Sequence, residues 1–162
     1  MKKVYALIFT VLLIVIISSC SRGEVYFKYK QVDKGEWTSD TPLVFELDSL
    51  LVDPSLKYDF QLDVVYSNLY PYHDLWLVVS NNLVDTISLQ DTIRVVLVDE
   101  YGTRTGSGNA GYYQLSLPYK TDVFLDTIST YTVSVSHAMR DGKLKGIEKI
   151  GLKVSEKDYA RR

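Results

Sequence analysis

The chain of 162 residues holds little of what catalytic and metal chemistry is usually built from: one cysteine, two histidines, four prolines and two methionines. A single cysteine excludes an intramolecular disulfide framework. His73 and His137 are far apart and lack the short ligand spacing of zinc sites. No G-x-S-x-G elbow occurs, so the nucleophile of an α/β-hydrolase is missing. Basic excess is missing too, with 18 Lys and Arg against 20 Asp and Glu, a net charge of −2. That balance argues against a nucleic-acid partner, which would want a basic face. The one basic cluster, Lys143, Lys145, Lys149, Lys153, Lys157, Arg161 and Arg162, is interleaved with Glu148, Glu156 and Asp158 and reads as a solvated face.

Only one long apolar run is present, Val4 to Ile17, preceded by Lys2 and Lys3 and closed by Ser18-Ser19-Cys20. A basic start, an apolar stretch and small residues describe an export signal. The run is shorter than the ~20 residues a membrane-spanning helix needs. The cysteine after the two serines resembles the lipobox of bacterial lipoproteins, in which the thiol is acylated and the preceding residues are removed. The expected organisation is a signal over 1–19, lipidated Cys20 with a short tether to residue 24, one β-sandwich domain over 25–157 and a tail over 158–162. Cleavage removes Lys2 and Lys3 and takes the net charge from −2 to about −4. The tether is too short to hold the domain far from a lipid surface.

What remains is patterned for strands. Tyr58 to Val64 alternates apolar with polar, as do Tyr131, Val133 and Val135 with Thr130, Thr132, Ser134 and Ser136, and Ile150, Leu152 and Val154 with Gly151 and Lys153. Denser apolar runs occur at Val25–Tyr29, Leu43–Leu47, Leu75–Val79, Ile93–Val98 and Tyr112–Leu117, with turn signals such as Asp53-Pro54, Asn81-Asn82 and Asp141-Gly142 between them. No segment after the apolar run carries a helical stripe over three turns. The expectation is an all-β fold, an antiparallel β-sandwich of jelly-roll-like type.

Several stretches invite a functional reading. Gly106-Ser107-Gly108-Asn109-Ala110-Gly111 matches G-x-G-x-x-G, but a dinucleotide site needs a helix opening at the third glycine. Here strand-like alternation and Pro118 follow, so a hairpin or connecting loop is expected and no cofactor is implied. Paired carboxylates for glycoside chemistry need a separation that sequence cannot show. The loop Tyr70-Pro71-Tyr72-His73-Asp74-Leu75-Trp76 offers aromatics, with Trp37, for a platform that would take a sugar ring or a partner protein. Tyr70 and Tyr72, in a turn, are expected to be exposed. Trp76 is expected to fill the core between sheets, its alternative being a place on the platform. His137 falls in phase with Tyr131, Val133 and Val135, on the apolar side of its strand, and like His73 is expected to be a packed or surface histidine with no metal role.

Two stretches carry a resemblance to a known family: Tyr70-Pro71-Tyr72-His73-Asp74-Leu75-Trp76-Leu77, and the run from Met139 to Leu152, which reads M-R-x-x-x-L-x-G-I-x-x-I-G-L. With the Tyr-rich first strand, Trp37 and a central glycine-rich turn, they resemble the gliding motility lipoprotein GldH family of Bacteroidetes over essentially the whole chain. Two departures stand out: Asp74 where the family favours Asn, and Arg104 near where it favours a tryptophan. The resemblance implies a non-enzymatic accessory of gliding motility and protein secretion. Such a protein would be held to the outer membrane through Cys20 and contact other gliding or secretion lipoproteins or envelope proteins. It supplies no catalytic residues. Residues 21–24 lack a run of acids, which favours the periplasmic face. The residues singled out for contact with a partner or glycan are Tyr70, Tyr72, Trp76 and Arg140, with Arg140 equally able to clamp a carboxylate or carbonyl internally. Gly146 and Gly151 are expected at bulges or close backbone approaches, and Met139 in a core gap. The alternative function is a glycan-binding lipoprotein using the aromatic platform.

Overall fold

A computed structural model describes residues 23–83, 89–125 and 130–157. Cys20, the apolar run before it and the tail 158–162 lie outside the described residues. Eleven strands are described: β1 (Glu24–Gln31), β2 (Glu36–Thr38), β3 (Leu43–Asp48), β4 (Lys57–Ser67), β5 (Asp74–Asn81), β6 (Leu89–Val96), β7 (Ser107–Asn109), β8 (Tyr112–Phe124), β9 (Thr130–His137), β10 (Lys143–Lys145) and β11 (Ile147–Glu156). They form a five-stranded sheet in the order β1-β11-β4-β8-β7, a four-stranded sheet β3-β9-β5-β6, and a ribbon of β10 with β2. All pairings are antiparallel. Among the described residues, the only helical elements are two short 3-10 turns, and no helix is long and apolar enough to cross a membrane.

Alternation decides what each sheet turns inward. Tyr58, Phe60, Leu62, Val64 and Tyr66 of β4 are buried beside Ile150, Leu152 and Val154 of β11. From the other sheet, Phe45, Leu47, Leu75, Leu77, Val79, Tyr131, Val133 and Val135 join the same core. The all-β sandwich expected from period 2 is the fold observed, because one phase of each strand can be buried while the other meets water.

Strand limits differ where turn chemistry or pairing outweighs apolarity. The Ile93–Val98 run begins earlier, at Leu89, and ends at Val96, where the backbone of Leu97 turns to donate to the His73 carbonyl at 2.8 Å. β8 continues through Pro118 to Phe124. Its second edge is covered by β7 only as far as Gln114, so a proline without N–H breaks no ladder there. The G-x-G-x-x-G stretch is a β7–β8 hairpin whose two-residue turn, Ala110-Gly111, has φ of 50° and 86°, the positive values a primed turn demands.

Candidate functional site

The two stretches that carry the resemblance fold onto each other at one end of the sandwich. Gly146, at φ +82°, sits so close to the Tyr70 turn that a Cβ there would lie 2.2 Å from the Tyr70 backbone nitrogen. The contact is fixed by backbone bonds: Ser67 donates to the Gly146 carbonyl at 2.8 Å and Tyr70 donates to the Ser67 carbonyl at 3.1 Å. Further along, Ala138 donates to the Trp76 carbonyl at 2.8 Å. The Trp76 amide in turn points at the Met139 sulfur, 3.4 Å away. The Tyr72 hydroxyl donates to the Asp141 carboxylate, which pushes the phenol above its ordinary pKa.

The aromatic loop does not present its rings as expected. Tyr70 is buried at 1% exposure, its hydroxyl donating to the Asp74 carbonyl at 2.7 Å and its ring edge-on to Tyr72 at 5.8 Å. The turn it occupies is pressed down by Gly146, so the ring is covered despite its place in a loop; burial and the nearby Tyr72 and Asp74 hold its hydroxyl far above the usual tyrosine pKa. Trp76 is 41% exposed rather than in the core. In Leu75-Trp76-Leu77-Val78-Val79 both phases are apolar, and the phase holding Leu75, Leu77 and Val79 is the buried one. Trp37 is buried at 2% exposure, its indole N–H donating to the Thr41 carbonyl at 3.1 Å. A platform of Tyr70, Tyr72, Trp76 and Trp37 therefore does not form.

Trp76, part of Tyr72 and Arg140 do face outward at this end, beside exposed Leu69 and His73. Trp76 lies opposite Arg94, whose guanidinium is paired with Asp74 at 3.0 Å. Arg140 is exposed and makes no ion pair among the described residues, so the internal-clamp reading does not describe it. An internal clamp exists elsewhere. The Arg104 guanidinium lies over the Tyr66 ring at 5.7 Å and the Tyr113 ring at 6.0 Å, and its Nη2 donates to the carbonyls of Asn68 and Tyr70 at 3.4 and 3.3 Å. A flat cation against stacked tyrosines fills the sort of niche an indole would. No local sequence signal marks this role; only the departure from the family's tryptophan pointed to the position.

Under this surface the ribbon is locked by His137. Its Nε2 is 3.0 Å from the Trp37 carbonyl, its Nδ1 accepts from the Met139 amide at 3.3 Å, and its ring meets Trp37 edge-on at 5.3 Å. An accepting Nδ1 makes Nε2 the protonated nitrogen. Burial pushes the His137 pKa down, more than the Trp37 carbonyl raises it. The unfolded chain then binds the proton more readily, so this group's contribution to stability is complete above the ordinary histidine value of about 6.5 and is lost as pH falls from there through the lower folded value. Thermal unfolding between pH 7.5 and 5 should show a falling Tm whose slope flattens in His137→Gln; an unchanged slope would contradict the assignment.

A cleft of about 340 Å³ lies beside the ribbon, bordered by Asp33, Glu36, Trp37 and Thr41. The Glu36 carboxylate there is engaged by Lys145 at 3.4 Å and Lys143 at 3.9 Å. Among the described residues no three His, Cys, Asp or Glu side chains come together as a metal site.

The family described as GldH lipoprotein matches residues 24–154. The chain is similar to a gliding motility lipoprotein GldH homolog of Christiangramia forsetii, 28% identical over 165 residues and covering 98% of this chain and 99% of the relative. It is also similar to the gliding motility lipoprotein GldH of Flavobacterium johnsoniae, 28% identical over 151 residues, covering 89% of this chain and 92% of the relative. Among solved structures, the CBM22-1–GH10 modules of a Clostridium thermocellum xylanase, complexed with xylohexaose, give a TM-score of 0.39 at 12% identity, with this chain spanning 30% of that chain. An infectious bursal disease virus structure gives a TM-score of 0.32. Both scores are too low to bear on fold or function.

Proposed function

The chain belongs to the GldH lipoprotein family, and from that premise we propose that it is a non-enzymatic lipoprotein accessory of bacterial gliding motility and its associated protein secretion. It is held to the outer membrane by acylated Cys20, on the periplasmic face, and works through protein contacts. The observation that carries this reading is the docking of the two most distinctive stretches against each other. Gly146 and Tyr70 are spent on holding them together, and His137, just ahead of the second stretch, is packed beneath, while Trp76, part of Tyr72 and Arg140 are left facing out. Aromatic and Arg side chains are the types enriched at interface centres.

The strands also give this end a direction. β1 enters beside the finish of β11, with Glu24 opposite Ser155, and leaves beside its start, with Gln31 opposite Lys149. Gly146 precedes β11 directly, and ten residues at ~3.3 Å each put it about 30 Å from the tethered end; the Tyr70 turn, which leads on to Tyr72 and Trp76, is pressed against it. A domain anchored through Cys20 would hold the tether end at the lipid and offer the trio to a partner farther out.

A deletion strain complemented in parallel tests this. The wild-type gene should restore colony spreading and the secreted proteome. Cys20→Ala and the double substitution Trp76→Ala with Arg140→Glu should not, although the double variant keeps the wild-type Tm. Full complementation by the double variant would remove the contact role of this end. Normal spreading and secretion in the deletion strain itself would remove the machinery reading.

A further inference from the structure

The outer face of the five-stranded sheet carries a second constellation, built from other residues than Trp76, Tyr72 and Arg140 and independent of the function proposed above. Asp63 of β4 points outward from the core, yet is only 2% exposed. Its carboxylate accepts from the Tyr29 hydroxyl at 2.7 Å, from Gln61 Nε2 at 3.1 Å and from Gln114 Nε2 at 3.3 Å. Gln114 Nε2 also donates to the Tyr29 oxygen at 2.9 Å. Three strands are thereby tied together on the solvent side of the sheet, by neutral donors alone.

The sequence makes room for this. Tyr29 lies opposite Gly151, and a Cβ on Gly151 would stand 2.6 Å from the Tyr29 ring. The second glycine of the conspicuous C-terminal run is therefore a seat for an aromatic ring. Next to it, Phe27 meets Tyr29 edge-on at 5.0 Å. Both rings keep more than a third of their surface open, at 41% and 36%. Across the sheet a groove of about 400 Å³ runs between Gln114, Val65, Tyr112, Ser107 and Asn109.

We propose that this face binds a neutral oligosaccharide chain, with Phe27 and Tyr29 stacking on sugar rings and Gln61 and Gln114 hydrogen-bonding hydroxyls. Asp63 fixes one N–H of Gln61 and the amide nitrogen of Gln114, so each amide oxygen is oriented and makes no hydrogen bond among the described residues. A fixed acceptor beside two part-exposed rings, one of them with the Lys153 ammonium 5.8 Å from its centroid, suits a ligand that alternates C–H surface with hydroxyls. Charge plays little part. Asp63 is covered, and Lys153 is paired with Glu24 at 2.9 Å, which leaves Lys149 as the remaining cation of the outer row of β11. A protein partner would instead meet Trp and Arg types such as Trp76 and Arg140.

Calorimetric titration of the detergent-solubilised full-length protein tests it, with cellohexaose, laminarihexaose and chitohexaose as neutral probes and hexagalacturonate as the acidic one. At least one neutral hexasaccharide should bind with Kd below about 1 mM. Phe27→Ala and Gln61→Ala should each weaken it at least tenfold, about 1.4 kcal/mol; exposed Phe27→Ala should keep the wild-type Tm, while half-buried Gln61→Ala gives up a bond to Asp63 and should lower Tm yet stay folded at the titration temperature. Tyr29→Phe keeps the ring and should weaken it less. Binding of no neutral hexasaccharide, of the acidic one alone, or equal binding by the variants would each overturn the proposal. The motility test above involves none of these residues, so either reading can fail without the other.

Discussion

Gly146→Ala is expected to cost at least about 4 kcal/mol, placing it among the exceptional single substitutions. A left-handed residue with a Cβ is strained by about 1–2 kcal/mol to begin with, and φ here is +82°. The larger part is steric. The new carbon would lie 2.2 Å from the Tyr70 nitrogen and 2.6 Å from Leu69 C and Tyr70 Cα, all of them backbone atoms. Relief requires moving the turn, which breaks the Ser67–Gly146 and Tyr70–Ser67 bonds and lifts the buried Tyr70 ring. For a domain of this size Tm should fall by roughly 10 °C or more. Gly142→Ala, in the same run, is the control. A Cβ at Gly142 meets nothing within 4 Å, so Tm should stay within about 2 °C. If both substitutions behaved alike, the close approach would not be what the glycine serves.

Trp37→Ala is the second large effect, about 3–5 kcal/mol from an emptied aromatic site. Trp37 is the largest fully buried side chain and lies opposite Leu144 in the β2–β10 ribbon. Its ring closes over His137, and its indole N–H satisfies the Thr41 carbonyl. Removing it leaves His137 beside a void and loosens the only strand pairing that β10 makes among the described residues. Urea unfolding should give a midpoint shift matching this loss, with Trp37→Phe recovering more than half. A loss below about 1 kcal/mol would mean that the ribbon is held by its backbone bonds alone.

The sandwich was legible because single-phase alternation leaves little choice. Tyr58 to Val64, Tyr131 to Val135 and Ile150 to Val154 each bury the phase the pattern assigns. His137 followed from the same phase. Trp76 was not legible, since a strand apolar in both phases carries no period to read. Tyr70 misled for a different reason: a turn residue is exposed by default, and what covers it is Gly146, far along the chain. The Tyr29–Asp63 cluster was hidden because Asp63 reads as the polar, solvent-side member of β4. Nothing local says that a tyrosine two strands away will close over it. The two distinctive stretches were found, but that they touch is a fact of topology, which spacing does not encode.

The pairing of the first strand with the last bears on force. A lipid at Cys20 would pull on β1 from its Glu24 end, while a load on the Trp76 end would be passed to the sheet near the start of β11. The pull then runs along the strands, at right angles to the β1–β11 hydrogen bonds. Residues from Glu24 to Gln31 would have to slip together rather than peel apart one at a time. Shear of that kind is the loading geometry a β-sheet resists best, so under the proposed anchoring the domain would keep its fold while tension passed through it.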